Sequence, residues 1–133
     1  MPVSDIMTTR IIHVSPEDSV GHMQTLLRDN KIHHLLVLQE GKLVGVVSDR
    51  DILRIVSPFI NTTAETQKDV FTLGRTARQL NLRPPITIQA TASIRKAASD
   101  FLENGISLLP VINEAGDVVG VLSWKDVLRY LID

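Results

Sequence analysis

Cysteine is absent from this 133-residue chain, which excludes disulfide bonds, thiolate metal sites and a cysteine nucleophile. Aromatic residues make up only 4% of the chain, too few for a platform on which single-stranded nucleic acid stacks. The formal net charge is −1, so the chain also lacks the basic surface that binds nucleic acid or an anionic membrane. Apolar runs are short, and none approaches the length that spans a bilayer.

Residues 1–5 have no basic stretch followed by an apolar stretch, so a secretory signal is not expected. Together with the missing cysteines, this pattern predicts a cytoplasmic protein. Hydrophobic residues make up 44% of the chain and charged residues 22%, which favours a folded domain with a sizeable core.

The chain contains an internal repeat. When residues 12–56 are placed over residues 86–131, 15 of the 45 aligned positions are identical, with Ala115 as one inserted residue. The identities cluster in the patterns Gly-x-x-Val-Gly-Val-x-Ser and Asp-x-Leu-Arg. We therefore divide the chain into a first repeat at 1–56, a linker at 57–77 and a second repeat at 78–133.

Each copy predicts the element order β-α-β-β-α. A short extended stretch precedes a helix with helical apolar spacing, for which Ser19 or Ser93 is the predicted N-cap. A hairpin of apolar strands and a second helix follow. Gly45 and Gly120 lie inside predicted strands, where glycine often marks the close approach of a ligand or of another backbone.

The linker has apolar residues on one helical face in its second half. Val70, Leu73, Ala77 and Leu80 have this spacing, which predicts a linking helix. The linker is thus expected to be partly helical.

The pattern Ser-x-x-Asp lies between a strand and a helix in both copies, as Ser48 with Asp51 and as Ser123 with Asp126. One interpretation is a capping box, in which the serine and the acid satisfy each other's backbone amides. The other is a ligand site, because a helix N-terminus favours phosphate and a carboxylate accepts from two vicinal ribose hydroxyls. The two interpretations are compatible, since one serine can cap a helix and also line a pocket.

Several segments together resemble a tandem pair of cystathionine-β-synthase (CBS) domains, the arrangement called a Bateman module, in its stand-alone bacterial form. They are residues 5–8, 14–20, 45–51, 105–111 and 120–126. The resemblance implies an α+β fold of two β-α-β-β-α CBS repeats packed about a pseudo-twofold axis through their sheets. It also implies clefts between the repeats that hold adenosine-containing ligands such as AMP, ATP, NAD or S-adenosylmethionine, with no required cofactor.

The resemblance maps the family's binding positions onto this chain in two sets. The ribose-binding acid and its partner hydroxyl correspond to Asp51 and Ser48 in one cleft, and to Asp126 and Ser123 in the other. The residues that approach phosphate or base correspond to His33 and His34 in the first copy, and to Ser107 and Leu108 in the second. Because the second pair lacks a basic side chain, the Asp51 cleft is the better predicted phosphate site.

Catalytic and metal sites are not predicted. The sequence has no Ser-His-Asp, P-loop or paired-glutamate pattern, which favours a non-enzymatic protein. His33 and His34 are adjacent and point to opposite faces of a strand, so they are not expected to chelate one ion.

Two functional hypotheses follow. The first is a regulatory module, expected as a homodimer, that binds an adenosine-containing small molecule and signals to an unknown effector protein. The alternative is a ligand-free dimerisation or interaction module. Neither hypothesis involves nucleic acid or a membrane.

Overall fold

Secondary structure is described for residues 1–54, 72–80, 82 and 85–133 in the computed structural model. The chain divides into two compact units. The first-repeat unit comprises Ile12–Gln39 and Val44–Pro84, and the second-repeat unit comprises Met1–Ile11, Glu40–Leu43 and Pro85–Asp133.

The described residues of the first copy, 1–54, form three strands and two helices in addition to a 3-10 turn at Val3–Asp5. They are β1 (His13–Val14), α1 (Val20–Asn30), β2 (His34–Gln39), β3 (Lys42–Ser48) and α2 (Asp49–Leu53). The sheet order is β1-β2-β3, with β1 parallel to β2. Ser19 begins α1 as predicted, because its side chain accepts a hydrogen bond from the His22 N–H at 3.1 Å.

The second copy has the same elements in the same order. They are β4 (Ile88–Gln89), α3 (Ile94–Asn104), β5 (Leu108–Ile112), β6 (Val118–Ser123) and α4 (Trp124–Ile132). Ser93 caps α3 through the Lys96 N–H at 3.0 Å, and Gly105 ends it with a φ of 60°. β4 is parallel to β5, and β5 is antiparallel to β6. The predicted α+β class with two β-α-β-β-α repeats is confirmed.

Each unit has its own apolar core, built by one helix face against one sheet face. In the first-repeat unit the core includes Val20, Met23, Leu35, Val37 and Val47. In the second-repeat unit it includes Ile94, Phe101, Leu109, Val111 and Leu122. The buried β2 and β5 runs explain why the hairpin strands read as almost continuously apolar.

A short segment before β1 and another before β4 each fold as a 3-10 turn that packs against a distant part of the chain. The turn at Val3–Asp5 belongs to the second-repeat unit, where the Val3 N–H donates to the Ala92 carbonyl at 2.8 Å. The turn at Ala77–Gln79 belongs to the first-repeat unit, where the Ala77 N–H donates to the Asp18 carbonyl at 2.9 Å. Val3 and Ala77 are fully buried, so both turns are part of the cores.

The described part of the predicted linking helix differs from the expectation. Two 3-10 turns, Thr72–Gly74 and Ala77–Gln79, replace one continuous helix, and Val70 lies outside the described residues. Thr76 interrupts the turns because its backbone is extended and its neighbour, Arg75, accepts a hydrogen bond from the Val20 N–H at 2.6 Å. Most of residues 57–77 is not described, so the predicted boundaries stay a prediction. Among the described helices, none is long and apolar enough to cross a membrane.

Candidate ligand-binding site

The first Ser-x-x-Asp turn joins β3 to α2 and forms a complete capping box. Ser48 Oγ accepts a hydrogen bond from the Asp51 N–H at 3.1 Å. Asp51 Oδ2 accepts one from the Ser48 N–H at 2.9 Å. The extended backbone of Ser48, with φ −99° and ψ 162°, turns the chain from strand into helix. The first Ser-x-x-Asp motif therefore forms the capping box that one of its two interpretations predicts.

The capping box leaves part of the Asp51 carboxylate available. Asp51 Oδ1 lies 3.9 Å from Arg54 Nη1, which is longer than a hydrogen bond. The Asp51 side chain is 41% exposed. One carboxylate oxygen is thus open to a donor such as a hydroxyl while the other caps the helix.

The start of β2 lies beside this turn, because the Asp49 N–H donates to the His33 carbonyl at 2.9 Å. The two side chains also meet, with His33 Nδ1 2.8 Å from Asp49 Oδ2. This hydrogen bond from His33 lowers the pKa of Asp49 below its ordinary value of 3.8. The His33 ring is held through Nδ1, so Nε2 is the nitrogen left for a ligand.

His34 occupies a different environment from its neighbour. Burial lowers the pKa of His34 below its ordinary value of 6.5, against the opposing effect of the Asp49 carboxylate. A half-buried neutral imidazole offers one donor and one acceptor near the turn. The structure therefore brings His33, His34, Ser48 and Asp51 into one part of the first-repeat unit.

The second Ser-x-x-Asp turn, between β6 and α4, forms the same capping box. Ser123 Oγ accepts from the Asp126 N–H at 3.2 Å, and Asp126 Oδ2 accepts from the Ser123 N–H at 2.8 Å. Here, however, Asp126 Oδ1 accepts from Arg129 Nη1 at 3.2 Å. The Asp126 side chain is only 10% exposed. Both oxygens of this carboxylate are engaged.

Ser107 and Leu108 lie beside the second turn as the histidines lie beside the first. The Trp124 N–H donates to the Ser107 carbonyl at 3.3 Å, which is the counterpart of the bond between Asp49 and His33. Neither Ser107 nor Leu108 brings a charge. Leu108 pairs with Ser123 across β5 and β6, so these residues share one end of the second-repeat unit.

Sequence reasoning missed two residues that shape these turns. The Asp49 carboxylate forms a hydrogen bond with the His33 ring, and the Arg129 guanidinium donates to the Asp126 carboxylate. The second contact had a readable signal, because Asp and Arg stand at i and i+3 on a predicted helix in both copies. Asp49 had none, since its partner is 16 positions earlier.

Both strand glycines lie against another segment of the chain. A Cβ at Gly45 would stand 2.7 Å from Leu82 Cδ1, and one at Gly120 would stand 2.6 Å from Met7 Sδ. Chain segments that precede β1 and β4 therefore pack closely on these strands, as one of the two interpretations of a strand glycine predicts. Over the residues described, no three His, Asp or Glu side chains cluster as a metal site would require.

Comparison with known proteins shows which family the chain belongs to. The sequence profile described as CBS domain matches residues 3–58 and 77–133. The chain therefore belongs to the CBS domain family, with two copies of the domain, and the resemblance of the sequence is confirmed.

Several relatives align along most of the chain. Uncharacterized protein MJ1404 of Methanocaldococcus jannaschii is 33% identical over 135 residues, covering 98% of this chain and 32% of that protein. The 5′-AMP-activated protein kinase subunit gamma-3 of Bos taurus is 32% identical over 124 residues, covering 90% of this chain and 24% of that protein. This chain thus spans about a third or less of the length of these two relatives.

Among solved structures, the chain is similar to CBSX2 of Arabidopsis thaliana. The crystal structure of CBSX2 in complex with AMP superposes with a TM-score of 0.81 at 30% sequence identity. The match covers 98% of this chain and 96% of that one.

Proposed function

We propose that this chain is a non-enzymatic regulatory module that binds an adenine nucleotide or adenosyl ligand at the Ser48–Asp51 turn. The open oxygen of Asp51, beside two histidines, is the observation that carries the proposal. A carboxylate in this position accepts hydrogen bonds from vicinal ribose hydroxyls. The similarity to CBSX2, whose crystal structure contains AMP, supports the ligand class.

Within this proposal the two histidines face the phosphate or the base. His34 is neutral near pH 7 and donates a single hydrogen bond, whereas Nε2 of His33 lies on an exposed ring. Asp49 is a negative charge close to both rings, which limits the attraction for phosphate groups. We therefore expect a ligand with few phosphates to bind more tightly than one with many.

The regulatory part of the proposal needs a partner. Ligand binding shifts the population of two conformations only if the ligand binds them with different affinity, and a cytoplasmic effector protein would read that shift. The similarity to a subunit of a kinase assembly supports an output through another polypeptide.

Thermal unfolding with AMP, ATP, NAD and S-adenosylmethionine tests the proposal. A ligand at about 100 times its Kd stabilises the protein by about 2.7 kcal/mol, which raises the Tm by on the order of 10 °C. Asp51→Asn keeps an oxygen for the cap but removes the charge, so we expect its affinity to fall about tenfold or more. Asp126→Asn is the matched control. The proposal is wrong if no probe shifts the wild-type Tm, and the site is wrong if Asp51→Asn responds like the wild type.

The alternative, an interaction module, has support from a different surface. α4 exposes Trp124, Leu128, Leu131 and Ile132, whose exposed fractions run from 45% to 83%. Their i, i+4, i+7 and i+8 spacing places them on one helix face, as in a helix that packs against a partner. We infer that this face joins two copies of the chain in a homodimer.

Light scattering after size exclusion tests the homodimer. Leu128→Glu should shift the protein toward monomer, because it buries a charge in an apolar contact. Leu102→Glu, at an 86% exposed leucine of α3, is the control and should leave the dimer intact. A monomeric wild type, or a dimer that persists in Leu128→Glu, overturns this inference.

A further inference from the structure

Arg129 contacts the oxygen of the Asp126 carboxylate that does not cap the helix. Its Nη1 donates to Asp126 Oδ1 at 3.2 Å, while Ser123 takes the other oxygen through its N–H at 2.8 Å and its Oγ at 3.1 Å. The Asp126 side chain is nine-tenths buried, and that of Arg129 is 68% exposed. The arginine thus supplies the donor that a ribose hydroxyl would otherwise supply.

The first copy carries the same arginine at the same spacing, where it forms a longer ion pair instead of a hydrogen bond. Arg54 follows Asp51 by three residues, as Arg129 follows Asp126. Its Nη1 stays 3.9 Å from Asp51 Oδ1, and its side chain is 76% exposed. The two copies therefore share one sequence pattern, but the Asp51 carboxylate has an oxygen without a hydrogen bond from the described residues, whereas both oxygens of Asp126 accept one.

We propose that Arg129 is a specificity-determining residue that closes the second-copy site, so that the chain binds one adenosine ligand with high affinity at Asp51. This inference rests on the proposed function and assigns a role to Arg129 that the capping box does not require. The two sites become inequivalent through one side chain.

A ligand binds weakly at Asp126 because its hydroxyls have to replace the guanidinium of Arg129 as hydrogen-bond donors. A ligand that enters at Asp126 must replace a charged guanidinium donor with neutral hydroxyl donors, and charge-assisted hydrogen bonds are the stronger kind. It must also leave a buried carboxylate without its counter-charge. A hydrogen bond to a charged group contributes enough that we expect affinity at this site to be about tenfold or more below that at Asp51.

Calorimetric titration of the full chain with AMP and, separately, with S-adenosylmethionine tests the proposal. The wild type should bind one equivalent. Arg129→Met removes every donor but keeps an apolar stem of similar length, and it should bind a second equivalent with affinity raised about tenfold. Arg54→Met is the matched control and should still bind one equivalent with affinity within about twofold of the wild type.

Two double variants assign the new site. Asp126→Asn combined with Arg129→Met should return the stoichiometry to one, and Asp51→Asn with Arg129→Met should keep only the second site. Urea unfolding of each variant establishes that the titrated protein is folded. Arg129→Ala, which also removes every donor, serves in place of Arg129→Met if the latter does not fold.

The outcomes separate this inference from the proposed function. Two equal sites in the wild type, or one site in both wild type and Arg129→Met, overturn the role of Arg129 while ligand binding stands. A single wild-type site that is lost in Asp126→Asn and kept in Asp51→Asn overturns it as well. If neither AMP nor S-adenosylmethionine binds the wild type or any variant, the proposed function and this inference are both wrong.

Discussion

In the first copy the carboxylate after β3 is 41% exposed, and in the second copy the equivalent carboxylate after β6 is 10% exposed. Both accept the same backbone hydrogen bond from a serine three residues earlier. They differ in the second oxygen, which Arg129 occupies at Asp126 and which Arg54 leaves open at Asp51.

The comparison separates capping from binding. One oxygen of each carboxylate stabilises the start of a helix, so this role explains why both copies keep the motif. In the proposed function, the other oxygen is the one that accepts hydrogen bonds from a ligand. The same motif therefore caps a helix in both copies, and under the proposed function it also binds a ligand in the first copy.

The largest expected difference between the copies lies in the strands before these turns. A Cβ at Gly120 would stand 2.9 Å from the Thr8 carbonyl oxygen, which accepts a hydrogen bond from the Val121 N–H. Gly120→Ala should therefore cost about 2–3 kcal/mol in the free energy of unfolding. Gly45→Ala should cost about 1 kcal/mol, because its nearest obstacle is the end of the Leu82 side chain, which can rotate.

Urea unfolding at constant pH measures both substitutions. Equal losses, or a larger loss at Gly45, would show that the backbone at Thr8 yields as easily as a side chain.

The next largest effect concerns the two carboxylates themselves. Asp126→Ala leaves a partly buried Ser123 N–H and removes the partner of Arg129, so it should cost about 2 kcal/mol. Asp51→Ala loses mainly the cap and should cost about 1 kcal/mol. Chemical denaturation in the absence of ligand gives both values, with Ser48→Ala as a control for the cap. A larger loss in the free energy of unfolding for Asp51→Ala than for Asp126→Ala would contradict this prediction.

A smaller effect is a pH dependence that only the first copy should have. Because burial holds the pKa of His34 below 6.5, the unfolded chain takes up a proton more readily than the folded one. Stability should decrease as the pH falls from above 6.5 toward the lowered pKa, and His34→Gln should reduce that decrease. Leu108 holds the equivalent position in the second copy and cannot titrate.

Thermal unfolding at about pH 7.5 and about pH 5.5 tests this dependence, with His22→Gln on the exposed surface of α1 as the control. A His34→Gln variant that loses as much Tm in acid as the wild type would contradict it.

The smallest effect belongs to the pair formed by His33 and Asp49. The lowered pKa of Asp49 means that its stabilising contribution is present above pH 3.8 and is lost as the pH falls through the lowered value. Its side chain is 44% exposed, so the contribution is about 0.5 kcal/mol at most. Unfolding free energies of Asp49→Asn and wild type should differ at about pH 5 and converge in stronger acid. A difference that is unchanged in acid would contradict this.

Much of the fold could be predicted because its signals are local. The apolar spacing of α1 and α3, the serine caps and the apolar hairpin strands each act within about ten residues, where periodicity is informative. The capping box at Ser48 and Ser123 was likewise readable from four adjacent residues.

Docking of the turns before β1 and β4 could not be predicted in the same way. Val3–Asp5 and Ala77–Gln79 are related by the offset of the repeat and make equivalent hydrogen bonds, yet they share no identical residue. Backbone hydrogen bonds carry these contacts, and they leave little trace in side-chain identity.

The sequence by itself determined the two copies, their element order and the carboxylates that stand at the strand-to-helix turns. Only the tertiary structure decided which segments of the chain approach Gly45 and Gly120. It also decided that Asp51 is open and Asp126 closed. The physical reason is that exposure and hydrogen-bond partners depend on where a side chain such as that of Arg129 comes to rest. Spacing along a helix makes that contact available but does not choose it.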